Sequence, residues 1–115
     1  MQIIENIITV KEIKEMASKM FGNMVKAVVD VEEGIMAINA GLHADEEALL
    51  IEKGSNNSNL WGINLYPDLY GTESFIEFDS MINLCPIQGN KTRYVDDIKI
   101  REKIIAIING LVKNE

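Results

Sequence analysis

A chain of 115 residues, 47% hydrophobic and 25% charged, is long enough for one packed domain and too short for two ordinary ones. Its 18 acidic against 11 basic residues leave a net charge of -7, which argues against nucleic-acid backbones as partners, because such binding rests on Lys and Arg. A single cysteine, Cys85, excludes an intrachain disulfide and a multi-cysteine zinc site, and no apolar run reaches the ~20 residues that span a bilayer.

Residues 1–8 carry Ile3, Ile4, Ile7 and Ile8 and read as a short extended lead-in. Thr9 with Glu12 fits a capping box, so a helix opens there. Val10, Ile13, Ala17, Met20 and Phe21 share its apolar face, and Gly22 stops it. Residues 24–31 are Val-rich and residues 35–40 return after Glu32-Glu33-Gly34, a hairpin pattern. Leu42 to Glu47 form an acidic loop around His43, the only histidine, and residues 48–53 are expected as a third strand, although their composition also suits a helix.

After the polar loop 54–59, Trp61, Ile63 and Leu65 alternate with Gly62, Asn64 and Tyr66 until Pro67 ends the ladder. A fifth strand is expected from Ser74 to Cys85, bending near Ser80 or Met81. Ile76, Phe78, Ile82 and Leu84 take one face, with Ser80 among them, and Glu77, Asp79, Met81, Asn83 and Cys85 the other. A polar loop follows, and Asp96 or Asp97 caps a last helix whose stripe is Ile100, Ile104, Ile107, Ile108 and Leu111. The expected fold class is α+β, one domain over residues 1–115. It is an antiparallel meander of about five strands, with the N-terminal and C-terminal helices on one face and the other face open or covered by a second subunit.

Three places suit chemistry. Asn64, Tyr66, Asp79 and Asn83 fall on the face opposite the core, where Asn and Asp are unusual strand residues; a polar ligand site or an ordinary solvated face both explain them. His43, Asp45 and Glu46 form a second cluster, able to bind a metal with help from Asp79 or to act as a base and its orienting carboxylate, or simply a solvated acidic loop. Asn90, Lys91 and Arg93, before the last helix, suit an anion or a plain basic surface, and lack phosphate-loop spacing. No nucleophile motif is present, so catalytic residues stay unassigned.

The strings HADEEALL at residues 43–50, NLWGINLYP at 59–67, IEFDSMIN at 76–83 and GNKTR at 89–93 resemble a family of small uncharacterised bacterial and archaeal proteins, a domain of unknown function. The resemblance spans almost the whole chain and implies a cytosolic single-domain protein of a family with no assigned activity, and so no catalytic residues to carry over. The chain departs from the family's pattern at Cys85, where a basic residue is usual, and at Lys91-Thr92.

Two readings follow. The favoured one is a non-catalytic binding or interaction module, a homodimer in the cytoplasm. It needs no cofactor or resident metal, binds a protein or small-molecule partner, and has no membrane or nucleic-acid role. The alternative is a small metal-assisted hydrolase using His43, Asp45 and Glu46 with Asp79.

Overall fold

The structure, a computed structural model, describes residues 1–80, 82, 95 and 97–114. Its elements are β1 (Gln2–Ile4), β2 (Ile8–Thr9), α1 (Val10–Ser18), β3 (Val25–Asp30), β4 (Ile35–Ala40) and α2 (His43–Lys53), then β5 (Leu60–Leu65), β6 (Ile76–Phe78), α3 (Ile98–Leu111) and β7 (Val112–Lys113). The fold is α+β. Five strands pair antiparallel in the order β1-β4-β3-β5-β6, and β2 pairs with β7 in a short parallel ladder, Ile8 opposite Val112.

Local chemistry explains the element ends. Thr9 Oγ1 accepts from the Glu12 N–H at 3.2 Å while the Glu12 carboxylate accepts from the Thr9 N–H at 3.3 Å, the reciprocal cap that starts α1. The helix ends at Ser18, sooner than the sequence pattern suggests, so Met20 and Phe21 lie beyond it and are exposed. Between β3 and β4, the Asp30 carboxylate accepts from the Glu32 and Glu33 N–H groups at 2.9 and 3.0 Å, which closes the turn. Asp97 caps α3 by accepting from the Lys99 N–H at 2.9 Å.

Residues 48–53 correct the expectation of a third strand: they are the body of α2. The topology requires it. Both β4 and β5 run antiparallel to β3, so they are parallel to each other, and parallel strands need a crossover connection rather than a tight turn. Leu50 is fully buried, and Gly54, at φ +116, ends the helix in the left-handed region. The acidic stretch expected as a loop is therefore the first turn and a half of this helix.

Two apolar layers sandwich the sheet. On one side Val25, Ala27, Val29, Met36, Ile38, Ile63 and Leu65 pack with Val10, Ile13 and Ala17 of α1 and Ile104, Ile108 and Leu111 of α3. On the other, Val28, Ala37 and Leu60 pack with Leu50. The middle of that second face is thus covered by α2, where the sequence left it open or awaiting a second subunit.

The expected long strand after Ser74 is also corrected. β6 stops at Phe78 because the Gly62 N–H is taken by the Ser80 hydroxyl at 2.9 Å instead of a backbone carbonyl, although the Asp79 N–H still donates to the Gly62 carbonyl at 3.2 Å. Asn83, Cys85, Asn90, Lys91, Arg93 and Asp96 lie outside the described residues.

Candidate functional site

The pairing registers decide which polar side chains meet. Lys26 of β3 stands opposite Asn64 of β5, and Asn64 opposite Glu77 of β6. Opposed residues share a face, so these three form a row across the sheet on the side of α2. On β4 the register skips Asn39, whose φ is +74, between the pairs Ala27–Ile38 and Lys26–Ala40. Such a bulge turns the strand end and brings Ala40 beneath the start of α2.

His43 opens α2, and its Nε2–H donates to the Ile63 carbonyl at 2.8 Å. A carbonyl only accepts, so this bond places the proton on Nε2 and leaves Nδ1 with a lone pair in the neutral ring. The ring rests on Gly62. A Cβ there would lie 3.2 Å from His43 Cγ, 3.3 Å from Nδ1 and 3.0 Å from the Asp79 carbonyl oxygen. A glycine inside a strand is therefore the seat of the imidazole. Burial holds the imidazole below its usual 6.5. The bond to Ile63 opposes that, Lys26 reinforces it, and Asp79 and Asn64 oppose it.

Asn64 is only 3% exposed. Its Nδ2 donates to Glu77 Oε1 at 2.7 Å and to Asp79 Oδ2 at 3.2 Å, and two carboxylate acceptors fix which end of the amide is nitrogen. With the His43 ring neutral, the Asn64 Oδ1 is buried without a hydrogen-bond donor among the described residues, because the bond between these two side chains needs a proton on the facing ring nitrogen. An unsatisfied buried acceptor costs about 1–3 kcal/mol, so its presence calls for a reason. The Tyr66 hydroxyl also donates to Glu77 Oε1, at 3.2 Å. Shielding from water, then the Glu77 charge, pushes that phenol above its usual value.

Glu46 follows His43 by one turn and faces the sheet, fully buried. Its Oε2 accepts from the Ala40 N–H at 3.0 Å, and Oε1 has no partner among the described residues. Burial pushes its carboxyl up to about 9, against the pull of the Ala40 N–H and Lys26, so at neutral pH it is an uncharged acid.

Of the residues singled out from sequence, His43, Asn64, Tyr66 and Asp79 converge. Asp45 does not: it is exposed on the outer side of α2, beside Ala48 and Glu52. Glu46 is turned inward as a neutral acid rather than offered as a ligand or orienting carboxylate. Among the described residues, no three His, Cys, Asp or Glu side chains gather as a metal-binding set, so the constellation drawn for a metal-assisted hydrolase is not assembled there. Sequence reasoning missed Lys26, Gly62 and Glu77. The strand glycine was the signal for a close approach, and Glu77 shares the parity of Asp79.

The chain belongs to a family described as a protein of unknown function (DUF5674), whose family model matches residues 2–111. No curated protein and no solved structure matches it. No helix among the described residues is long and apolar enough to cross a membrane.

Proposed function

We propose that this member of a family without an assigned activity is a non-catalytic binding module, with its ligand site at the cluster of His43, Asn64, Tyr66, Glu77 and Asp79. The supporting observation is the Asn64 amide: anchored by two carboxylates through Nδ2, it keeps, while the His43 ring is neutral, a buried Oδ1 with no donor among the described residues. Folding tolerates that cost where a ligand supplies the missing partner. The surroundings fit a site. His43 is pinned in one tautomer, Gly62 makes room for it, and exposure falls from Glu77 at the rim to Asp79 and Asn64 at the floor. The cluster sits at the carboxyl ends of β4 and β5, where α2 crosses between two parallel strands, a location that holds ligands in many open sheets.

A fragment library screened by backbone amide NMR tests this reading. Hits are expected to perturb the amides of residues 43, 62–66 and 77–79 together. Hits confined to another surface, or none that reach this cluster, would refute it.

A further inference from the structure

We infer that this site carries a proton-operated switch: acid places a proton on His43 Nδ1, the new N–H donates to Asn64 Oδ1, and the acceptor offered to a ligand is satisfied from within the chain. This rests on the binding-site reading above and adds its regulation.

Two side chains, each already fixed, face one another. The His43 Nε2–H is held by the Ile63 carbonyl at 2.8 Å, and the ring lies on Gly62, where a Cβ would stand 3.2 Å from Cγ and 3.3 Å from Nδ1. Asn64 is two residues on in β5, so it projects from the same face as Gly62 and meets the same ring. Its Nδ2 is tied to Glu77 Oε1 at 2.7 Å and to Asp79 Oδ2 at 3.2 Å, which commits Oδ1 to the remaining side. With Nε2 engaged at Ile63, the nitrogen left for Asn64 is Nδ1. In the neutral ring that nitrogen is a lone pair, and Oδ1 has no donor among the described residues.

A proton on Nδ1 resolves this with no side chain moving. The imidazolium then donates twice, to the Ile63 carbonyl and to the Asn64 amide of the same strand. A ligand N–H reaching Oδ1 no longer relieves an unsatisfied buried oxygen, so the contact is worth less to it. Proton and ligand oppose one another, and by linkage each weakens the other equally.

The surroundings set where the switch works. Burial is the largest influence and holds the ring below its usual 6.5. Lys26 of β3 acts in the same sense, as does the place of His43 in the first turn of α2, at the positive end of the helix dipole. Asp79 acts in the opposite sense and makes a further interaction of its own. Glu77 of β6 reaches the ring through Asn64, Tyr66 at the end of β5 is a neutral phenol, and Glu46 on α2 is a neutral acid. The ring is therefore neutral and Oδ1 open at pH 7, and the switch closes as pH falls through the lowered value.

The test takes the full chain, with the proton as its own probe. Nitrogen NMR of the ring, the only histidine in the chain, and the side-chain carbonyl carbon of Asn64 are followed from pH 8 to pH 4. The Nε2–H tautomer is expected at pH 8. On acidification Nδ1 should take up a proton, and the Asn64 carbonyl carbon should shift with the same midpoint. Asn64→Leu, similar in size but without the oxygen, should lower the ring midpoint by about one pH unit, a tenfold loss of proton affinity for one charge-assisted bond. Should that variant not fold, the coincidence of the two wild-type midpoints decides. A ring that stays neutral until the chain unfolds, an Asn64 carbon that ignores the ring, or an unchanged midpoint in folded Asn64→Leu refutes the switch and leaves the binding site standing. Uncharged library fragments that reach the cluster at pH 7 should bind severalfold more weakly below the ring midpoint; equal affinity on both sides refutes the regulation. If no fragment reaches the cluster, the binding-site reading falls and its regulation with it.

Discussion

Replacing Glu46 with Gln should stabilise this protein at neutral pH, and the gain should grow as pH rises. Glu46 is fully buried, with its carboxyl pushed from 4.5 to about 9 in the folded state. Its folded-state value is raised, so its contribution to stability is fully present below pH 4.5. It is lost progressively as pH rises toward 9, because the folded chain must hold a proton that the unfolded chain releases. At pH 7 the loss is about 3 kcal/mol, from 2.5 pH units at ~1.4 kcal/mol each. Glutamine keeps the length and an oxygen to accept from the Ala40 N–H, now 3.0 Å from Oε2, and titrates nowhere. Glu46→Gln should therefore match wild type near pH 4.5 and exceed it by about 3 kcal/mol at pH 7, or about 10 °C in Tm for a chain of this size. Urea unfolding of both proteins at pH 5, 6, 7 and 8 measures the difference, which cancels every other titrating group. Parallel stability curves, or a variant weaker at every pH, would show that Glu46 is ionised in the fold and that the burial argument is wrong.

Three further outcomes follow from the same geometry. His43 titrates below its usual value when folded, so its contribution is present above pH 6.5 and lost as pH falls toward the folded value; His43→Gln, which keeps a donor for the Ile63 carbonyl, should gain on wild type as pH drops through that window in urea unfolding. Gly62→Ala puts a methyl 3.0 Å from the Asp79 carbonyl oxygen and 3.2 Å from the His43 ring, and should cost about 1–3 kcal/mol while moving the His43 ring resonances; an unchanged ring spectrum would contradict the seat assigned to it. Thr9→Ala removes the reciprocal cap of α1 and should cost about 1 kcal/mol by thermal or urea unfolding.

The parts of the fold governed by near neighbours were legible in the chain. The start of α1 follows from Thr9 and Glu12, three residues apart, and the β3–β4 hairpin from two apolar runs about a short turn. The inward parity of Ile63 and Leu65 follows from simple alternation, and the buried face of α3 from the spacing of Ile104, Ile108 and Leu111. Alternation also put Asn64 and Asp79 on one face. Local pattern misled at Ala48-Leu49-Leu50-Ile51, where four apolar residues satisfy a strand and a helix equally. It misled again after Phe78, where the Ser80 hydroxyl takes the Gly62 N–H and ends a strand whose alternation runs on.

By itself, then, the sequence determined an α+β domain, most of its elements and the parity of the polar residues beside the core, since these depend on spacings of two to four residues. Only the tertiary structure decided that β5 pairs with β3 rather than β4, which makes α2 a crossover and carries His43 onto Gly62, nineteen residues away in the chain. The same choice buried Glu46 as a neutral acid instead of leaving it in solvent with Asp45, and set Lys26, Asn64 and Glu77 in one row. Register and crossover are settled by packing among distant segments, and no local spacing encodes that competition.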